Sequence, residues 1–174
     1  MEIVTANNKK SQAKKILCLK TKSMDCGIKT SVYTINPLYG KGVITSYYFD
    51  GLLINLINAK LKEDFLFISS NDSNSFNTLE LSVLIDGEKI IRFSNLENDL
   101  IIEKNESYLL HDNGDDKIVF YRNKHINEVK IKMHDSFIKK HQMQTLFSSN
   151  ETSSLSTTQQ LTYNMERIVN DMLT

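Results

Sequence analysis

The stretch from Thr78 to Phe93, TLELSVLIDGEKIIRF, decides the fold class of this chain. Four apolar residues alternate along its first half and would share one side of an extended strand: Leu79, Leu81, Val83 and Ile85. The pair Asp86-Gly87 predicts a two-residue hairpin turn, from which Lys89–Phe93 returns as a second strand. This part of the chain is therefore predicted to be β structure.

The same pattern of short strands and turns continues in both directions. Gly40-Lys41-Gly42 and Asp50-Gly51 are predicted turns. The other predicted strands cover 28–35, 43–49, 52–58, 65–69, 100–103, 108–110, 117–122 and 128–133. No helical period separates the strands between residues 43 and 133, and parallel βαβ units would need one. The pattern favours an antiparallel β-sandwich or barrel.

Residues 1–27 are predicted to form an N-terminal arm with one short strand around Ile16–Leu19. Six lysines make the arm basic: Lys9, Lys10, Lys14, Lys15, Lys20 and Lys22. The plainest interpretation is a solvated and partly frayed arm, because terminal segments are commonly disordered.

The C-terminal part of the chain changes to a helical period. Asp135 is predicted to cap a short helix over 136–147, and the Ser-rich stretch 148–156 is predicted to be a linker. Ser156 and Gln159 fit a capping box that opens a second helix, ending near residue 173. One side of that helix is an apolar stripe made of Leu161, Met165, Ile168 and Met172. The stripe either pairs with a second copy, as a dimerisation helix, or packs on its own barrel. We expect the natural protein to continue beyond it.

Composition limits the possible functions. The chain has 174 residues, 40% of them hydrophobic, which suits one domain with one core. Its 21 basic and 21 acidic residues give a formal net charge of zero, so this segment alone is not expected to bind nucleic acid. Cys18 and Cys26 do not match a zinc or redox spacing and are interpreted as reduced thiols. Since no apolar run is long enough for a signal peptide or a membrane span, we expect a cytoplasmic location and no membrane partner.

The sequence carries no recognisable catalytic motif. Its four histidines do not occupy paired positions on neighbouring predicted strands, as a metal-dependent barrel enzyme would need; they are His111, His125, His134 and His141. There is no G-x-S-x-G nucleophile motif, and Gly40-Lys41-Gly42 is too short for a phosphate-binding loop. We therefore expect no metal, no cofactor and no enzymatic activity.

The remaining candidate chemistry is aromatic and cationic, and it falls in the predicted strands. A small barrel can hold one ligand against such side chains, and an inward arginine would favour an anionic or chelating ligand. The candidate effector-binding residues are Tyr47, Phe49, Phe65, Arg92, Phe120 and Arg122. Alternatively, the aromatic residues are ordinary core and the arginines point to solvent.

Three segments resemble the N-terminal domain of AraC-type transcriptional regulators, in particular the siderophore-responsive branch: 51–54 (GLLI), 79–87 (LELSVLIDG) and 102–110 (IEKNESYLL). Lys104-Asn105 stands where the family usually has Pro-Gly. The resemblance covers about residues 40–147.

This resemblance implies a mainly β chain with C-terminal helices, namely a cupin-like double-stranded β-barrel (jelly roll) followed by a helical dimerisation segment. The implied organisation is an N-terminal arm at 1–27, an effector-binding barrel at 28–147, and a linker with the start of the dimerisation helix at 148–174. Such a domain binds a small-molecule effector, forms a homodimer and controls DNA binding by a C-terminal helix-turn-helix domain that this chain lacks. The resemblance suggests an activator, although the residues themselves leave open whether transcription is raised or lowered and which effector is bound. The alternatives are a small cupin enzyme, either an isomerase or a metal-dependent oxygenase, and a dimerisation module that binds no ligand.

Overall fold

A computed structural model describes residues 2–5, 16–69, 78–93, 99–112, 117–122, 125–143 and 159–160. Within them the chain is mostly β structure with one short helix, which confirms the predicted mainly β class. The elements are β1 (Glu2–Thr5), β2 (Leu17–Asp25), β3 (Ile28–Ile35), β4 (Gly40–Phe49), β5 (Leu52–Leu61), β6 (Phe65–Ser69), β7 (Thr78–Asp86), β8 (Lys89–Phe93), β9 (Leu100–Ile102), β10 (Glu106–Asp112), β11 (Lys117–Tyr121), β12 (His125–His134), α1 (Asp135–Lys140) and β13 (Gln159–Gln160).

The described strands form two antiparallel sheets. The larger has the order β13-β10-β7-β12-β5-β4-β3-β2, and the smaller has the order β1-β6-β11-β8-β9. One face of each sheet contributes to a shared apolar core, in which Phe65, Leu84 and Ile102 are completely buried. A second apolar cluster lies on the opposite face of the larger sheet, around Val83 and Val129. The interior between the two sheets is therefore the natural place for a site.

Most strand positions follow the sequence pattern. The strands β3, β6 and β8 begin and end where they are predicted. Two strand pairs are joined by tight turns whose central residues both have positive φ: Cys26-Gly27, with φ of 46° and 80°, and Asp50-Gly51, with φ of 48° and 90°. Such turns match the twist of a two-residue hairpin, and they join β2 to β3 and β4 to β5.

The hairpin predicted at Asp86-Gly87 is wrong. The strand β7 lies between β10 and β12 in the larger sheet, whereas β8 pairs with β11 and β9 in the smaller sheet. Since β10 and β12 already occupy both edges of β7, the returning strand cannot pair with it. The turn, in which Gly87 has a φ of 114°, instead carries the chain from one sheet to the other. Lys89 consequently faces the larger sheet from the opposite side of the interior.

The turn predicted at Gly40-Lys41-Gly42 is also wrong, because these residues begin β4. The chain reverses just before them, where the amides of Tyr39 and Gly40 donate to the Asn36 carbonyl oxygen. Gly42 lies against β5 so closely that a Cβ atom there would collide with the Asn58 carbonyl. The glycine is therefore required by sheet packing and not by a turn.

The terminal elements differ from their predictions in length. The strand β2 extends to Asp25, well beyond the predicted 16–19, and forms an edge of the larger sheet. The helix α1 begins at Asp135 and ends at Lys140. Its capping position is His134, which makes no side-chain capping bond.

Gln159–Gln160 pair with β10 as a short strand, where the sequence predicts the start of a helix. The stripe Leu161, Met165, Ile168 and Met172 lies outside the described residues.

Within the described part of the chain, no helix has the length and apolar character needed to cross a membrane.

Candidate functional site

A row of polar side chains crosses the inner face of the larger sheet. Residues directly opposite one another on antiparallel strands lie on the same face, and the pairing register runs through seven strands in this way. From β10 to β2 this polar row consists of Tyr108, Ser82, Lys130, Asn55, Ser46, Ser31 and Lys22. Tyr108 and Ser82 are buried, the middle residues are half-buried, and Lys22 is exposed. The row therefore has a closed end at β10 and an open end at β2.

At the closed end, Lys89 reaches across from the smaller sheet. Its ammonium donates to Glu128 Oε1 and to Tyr108 Oη, both at 2.6 Å. The side chains of Lys89 and Glu128 are 0% exposed, so this ion pair lies completely within the protein. A buried ion pair is stable only when further hydrogen bonds satisfy both groups.

Glu128 has those further bonds. Ser82 Oγ donates to Glu128 Oε1, and Tyr121 Oη donates to Glu128 Oε2, both at 2.6 Å. Burial alone would raise the pKa of Glu128, but Lys130 and Lys89 lower it to about 2, so the carboxylate is ionised. Burial lowers the pKa of Lys89 to about 8, against the opposing effect of Glu128. The pair is thus charged at neutral pH.

Glu80 contacts both Tyr108 and Lys132. Tyr108 Oη donates to Glu80 Oε1 at 2.5 Å, and Lys132 Nζ lies 2.9 Å from Glu80 Oε2. Burial, together with Glu80 and Glu128, raises the pKa of Tyr108 well above its ordinary value. Burial also raises the pKa of Tyr121, so both phenols stay neutral and serve as hydrogen-bonding groups. We call these six residues the charged network: Glu80, Ser82, Lys89, Tyr108, Tyr121 and Glu128.

Lys130 lies beside the charged network but is held more loosely. Its ammonium is 3.4 Å from Tyr121 Oη, 3.8 Å from Glu128 Oε1 and 3.8 Å from Glu80 Oε1. Burial lowers its pKa, but the surrounding Glu128, Tyr121 and Glu80 raise it well above the ordinary value overall. Lys130 is therefore a charged group whose contacts are longer than an ordinary charge-assisted hydrogen bond of about 2.7–2.9 Å.

Beyond Lys130 the row continues with hydroxyl and amide groups. Asn55 lies directly opposite Lys130, and Ser46 lies directly opposite Asn55. The Ser46 hydroxyl donates to Asn55 Oδ1 at 2.7 Å. This part of the interior offers hydrogen-bonding groups where a purely structural core would be apolar.

The candidate residues from the sequence lie mostly elsewhere. Phe65 is buried in the core, whereas Tyr47 and Phe49 are exposed near the end of β4. Their register with β5 places them on the face opposite the polar row. Sequence reasoning recognised their aromatic character but not the sheet face on which each one lies.

Both arginines point to solvent, which is the alternative that the sequence left open. The Arg92 guanidinium donates to both carboxylate oxygens of Asp99, at 2.8 and 2.7 Å, and lies over the Phe120 ring on the outward face of the smaller sheet. Arg122 donates to Glu88 at 3.2 Å and to Asp64 at 3.3 Å, with about half of its side chain exposed. These arginines do not join the interior site.

Sequence reasoning missed the charged network because its members alternate with apolar residues, as solvent-facing residues do. Glu80 and Ser82 alternate with Leu81 and Val83 on β7, and Glu128 and Lys130 alternate with apolar residues on β12. A usable signal was one pair of opposite charges on the two strands, because Lys132 lies in register with Glu80.

Among the described residues, no group of three or more histidine, cysteine or acidic side chains could hold a metal ion. His125 instead lies 3.0 Å from both Asp86 Oδ2 and Asn58 Oδ1 at the surface. Cys18 and Cys26 are free and exposed.

Comparison with solved structures supports the fold. The chain is similar to apo ToxT K231A from Vibrio cholerae, with a TM-score of 0.51 and 10% identity over 71% of this chain and 46% of that chain. Similar structures also include the AraC-like transcriptional activator CuxR, with a TM-score of 0.49 and 10% identity over 76% of this chain and 46% of CuxR. The Escherichia coli pirin YhhW in complex with nickel(II) has a TM-score of 0.45 and 10% identity over 84% of this chain and 58% of YhhW.

The chain thus spans about half the length of these proteins. At 10% identity, the likeness to ToxT shows a shared fold. No protein-family model matches the sequence, and no curated protein matches it.

Proposed function

We propose that this chain is the sensing and dimerising part of a transcription regulator of the AraC type. A small molecule bound inside the barrel would control a helix-turn-helix domain that lies outside this chain. The observation that carries the proposal is the polar row on the inner face of the larger sheet, open at one end and charged at the other. The half-buried ammonium, amide and hydroxyl groups of this row can exchange hydrogen bonds with a bound molecule, as the few polar groups of a ligand pocket do.

The segments that resemble the family support the proposal by their positions in the fold. Residues 51–54 open β5, residues 79–87 cover β7 and the turn to the second sheet, and residues 102–110 cover the turn into β10. In that last turn Asn105 has a φ of 64°. Asparagine tolerates this left-handed conformation better than most residues, so Lys104-Asn105 preserves a turn that the family makes with Pro-Gly.

The proposed mechanism is a shift between two arrangements of barrel, arm and C-terminal segment. An effector that binds one arrangement more tightly changes the position of the DNA-binding domains. A difference of about 1–3 kcal/mol between the two states is enough for useful control.

Dimerisation is proposed to use the apolar stripe of Leu161, Met165, Ile168 and Met172. Replacing Ile168 by Asp places a charge in the middle of the stripe and is expected to convert a dimer to a monomer in sedimentation velocity. The polar side of the same segment offers a control, Asn170→Asp, which should leave the mass unchanged. A dimeric mass for Ile168→Asp would contradict the pairing role.

Effector binding is tested by a thermal-shift screen of the 174-residue chain against four compound classes: organic anions, neutral sugars, apolar acids and neutral aromatic compounds. At least one class should raise the melting temperature in a saturable way, because ligand that binds only the folded state stabilises it. If all four classes leave the melting temperature unchanged while the chain remains dimeric, the chain is a dimerisation module that binds no ligand.

A further inference from the structure

The lysines of the described interior are not equally well hydrogen-bonded. Lys89, Lys130 and Lys132 face Glu80 and Glu128, and Lys132 is the most exposed of the three lysines, at 28% of its side chain. A buried ammonium group is stable only when its hydrogen-bonding capacity is satisfied as well as its charge.

Lys130 is the lysine of the three whose ammonium has no short hydrogen bond among the described residues. Lys89 has two partners at 2.6 Å, and Lys132 has Glu80 at 2.9 Å, whereas the partners of Lys130 lie at 3.4 Å and beyond. Lys130 also differs in access, since 15% of its side chain is exposed while Lys89 is 0% exposed. An added ligand could therefore reach Lys130 but not Lys89.

The neighbours of Lys130 define what else the ligand must offer. Asn55 and Ser46 follow it along the polar row, and the carboxamide of Asn55 has two N–H donors in addition to the oxygen that Ser46 occupies. An apolar chain lying along this path would leave these polar groups without water or partners, which is unfavourable. A hydroxylated ligand would instead exchange hydrogen bonds with them.

From this arrangement we infer that the effector is a small hydroxylated carboxylate, with its carboxylate on Lys130 and its hydroxyl groups on Asn55 and Ser46. The inference rests on the proposed sensing function and deepens it by naming the ligand class. The carboxylate would form with the ammonium the short charge-assisted hydrogen bonds that its described contacts, at 3.4–3.8 Å, do not supply.

The test is calorimetric titration of the 174-residue chain with glycerate, malate, citrate and gluconate, beside glucose and decanoate. At least one hydroxycarboxylate should bind with a stoichiometry of one, whereas glucose lacks the charge and decanoate lacks the hydroxyl groups. Lys130→Gln should weaken that binding by about tenfold or more, because a hydrogen bond to a charged group is lost. Lys130→Arg, which keeps the charge, should bind more tightly than Lys130→Gln.

Two further variants keep the test decisive if Lys130→Gln does not fold. Ser46→Ala should weaken hydroxycarboxylate binding severalfold, and Lys60→Gln, at an exposed site on the neighbouring strand β5, should leave it unchanged. Binding of glucose or decanoate in place of every hydroxycarboxylate would overturn the ligand class but leave the sensing function standing. Hydroxycarboxylate binding that Lys130→Gln and Ser46→Ala both leave unchanged would overturn the site. Absence of binding by all six compounds overturns the inference, and the four-class screen then decides separately whether sensing itself fails.

Discussion

Lys89 and Lys130 occupy the same interior, yet their surroundings differ. Lys89 is completely buried and has two contacts of 2.6 Å, one to a carboxylate and one to a phenol. Lys130 is partly open and has only contacts of 3.4–3.8 Å. The hydrogen bonding around Lys89 is complete, whereas Lys130 is suited to receive another group. The same residue type thus serves stability at one position and, in our account, binding at the other.

The largest effect should follow removal of Glu128, which holds the closed end together. Glu128→Ala leaves Lys89 without its carboxylate in a dry place and should lower the free energy of unfolding by about 3–5 kcal/mol. Urea unfolding followed by circular dichroism measures this loss. Glu103→Ala, at an exposed position, is the matched control. A loss below about 1 kcal/mol for Glu128→Ala would mean that the network does not hold the sheets together.

The next-largest effect should be a loss of folding stability at low pH. The folded pKa of Glu128 is about 2, below the ordinary 4.5, so the ionised carboxylate stabilises the folded state above about pH 4.5. That contribution, roughly 3 kcal/mol at about 1.4 kcal/mol per pKa unit, should be lost as the pH falls from 4.5 towards 2. Unfolding free energies of the native chain and Glu128→Gln should therefore converge over this range. Parallel curves for the two proteins would show that Glu128 does not titrate in this way.

A smaller loss is expected from Tyr108→Phe. The phenol accepts from Lys89 at 2.6 Å and donates to Glu80 at 2.5 Å, so its removal leaves two charged groups short of a partner. The free energy of unfolding should fall by about 1–3 kcal/mol. Tyr47→Phe removes the same atom from an exposed ring and should change little. Equal losses of unfolding free energy in Tyr108→Phe and Tyr47→Phe would show that the buried hydroxyl contributes no more to stability than an exposed one.

The smallest effect should come from the outward face of the smaller sheet. Arg92→Ala breaks an exposed pair with Asp99, and such pairs contribute little to stability. No measurable change in melting temperature or in ligand binding is expected. Loss of ligand binding in this variant would return the site to the arginines that the sequence suggested.

The strands were predictable from sequence because local chemistry determines them. Alternating apolar residues and turn residues place β3, β6 and β8 correctly. Partner choice is not local, however: Asp86-Gly87 has the residues of a hairpin, but β7 already has a neighbour on each side. The turn therefore leads to the second sheet, and this non-local fact brings Lys89 opposite Glu128.

The site was harder to predict than the strands for a related reason. Glu80, Glu128 and Lys130 alternate with apolar residues, which is the pattern of a strand with one wet face. On β7 and β12, however, both faces are covered, so the polar face is the interior of the protein. Only the packing of the two sheets distinguishes a charged network from an ordinary surface.

The most direct test of the account compares Lys89→Met with Lys130→Met, measuring stability and hydroxycarboxylate binding on both proteins. Lys89→Met should lower the free energy of unfolding by about 3–5 kcal/mol. Lys130→Met should cost no more than about 2 kcal/mol but weaken binding by about tenfold or more. Equal loss of stability in the two variants, with binding unaffected in Lys130→Met, would contradict the assignment of a structural role to Lys89 and a binding role to Lys130.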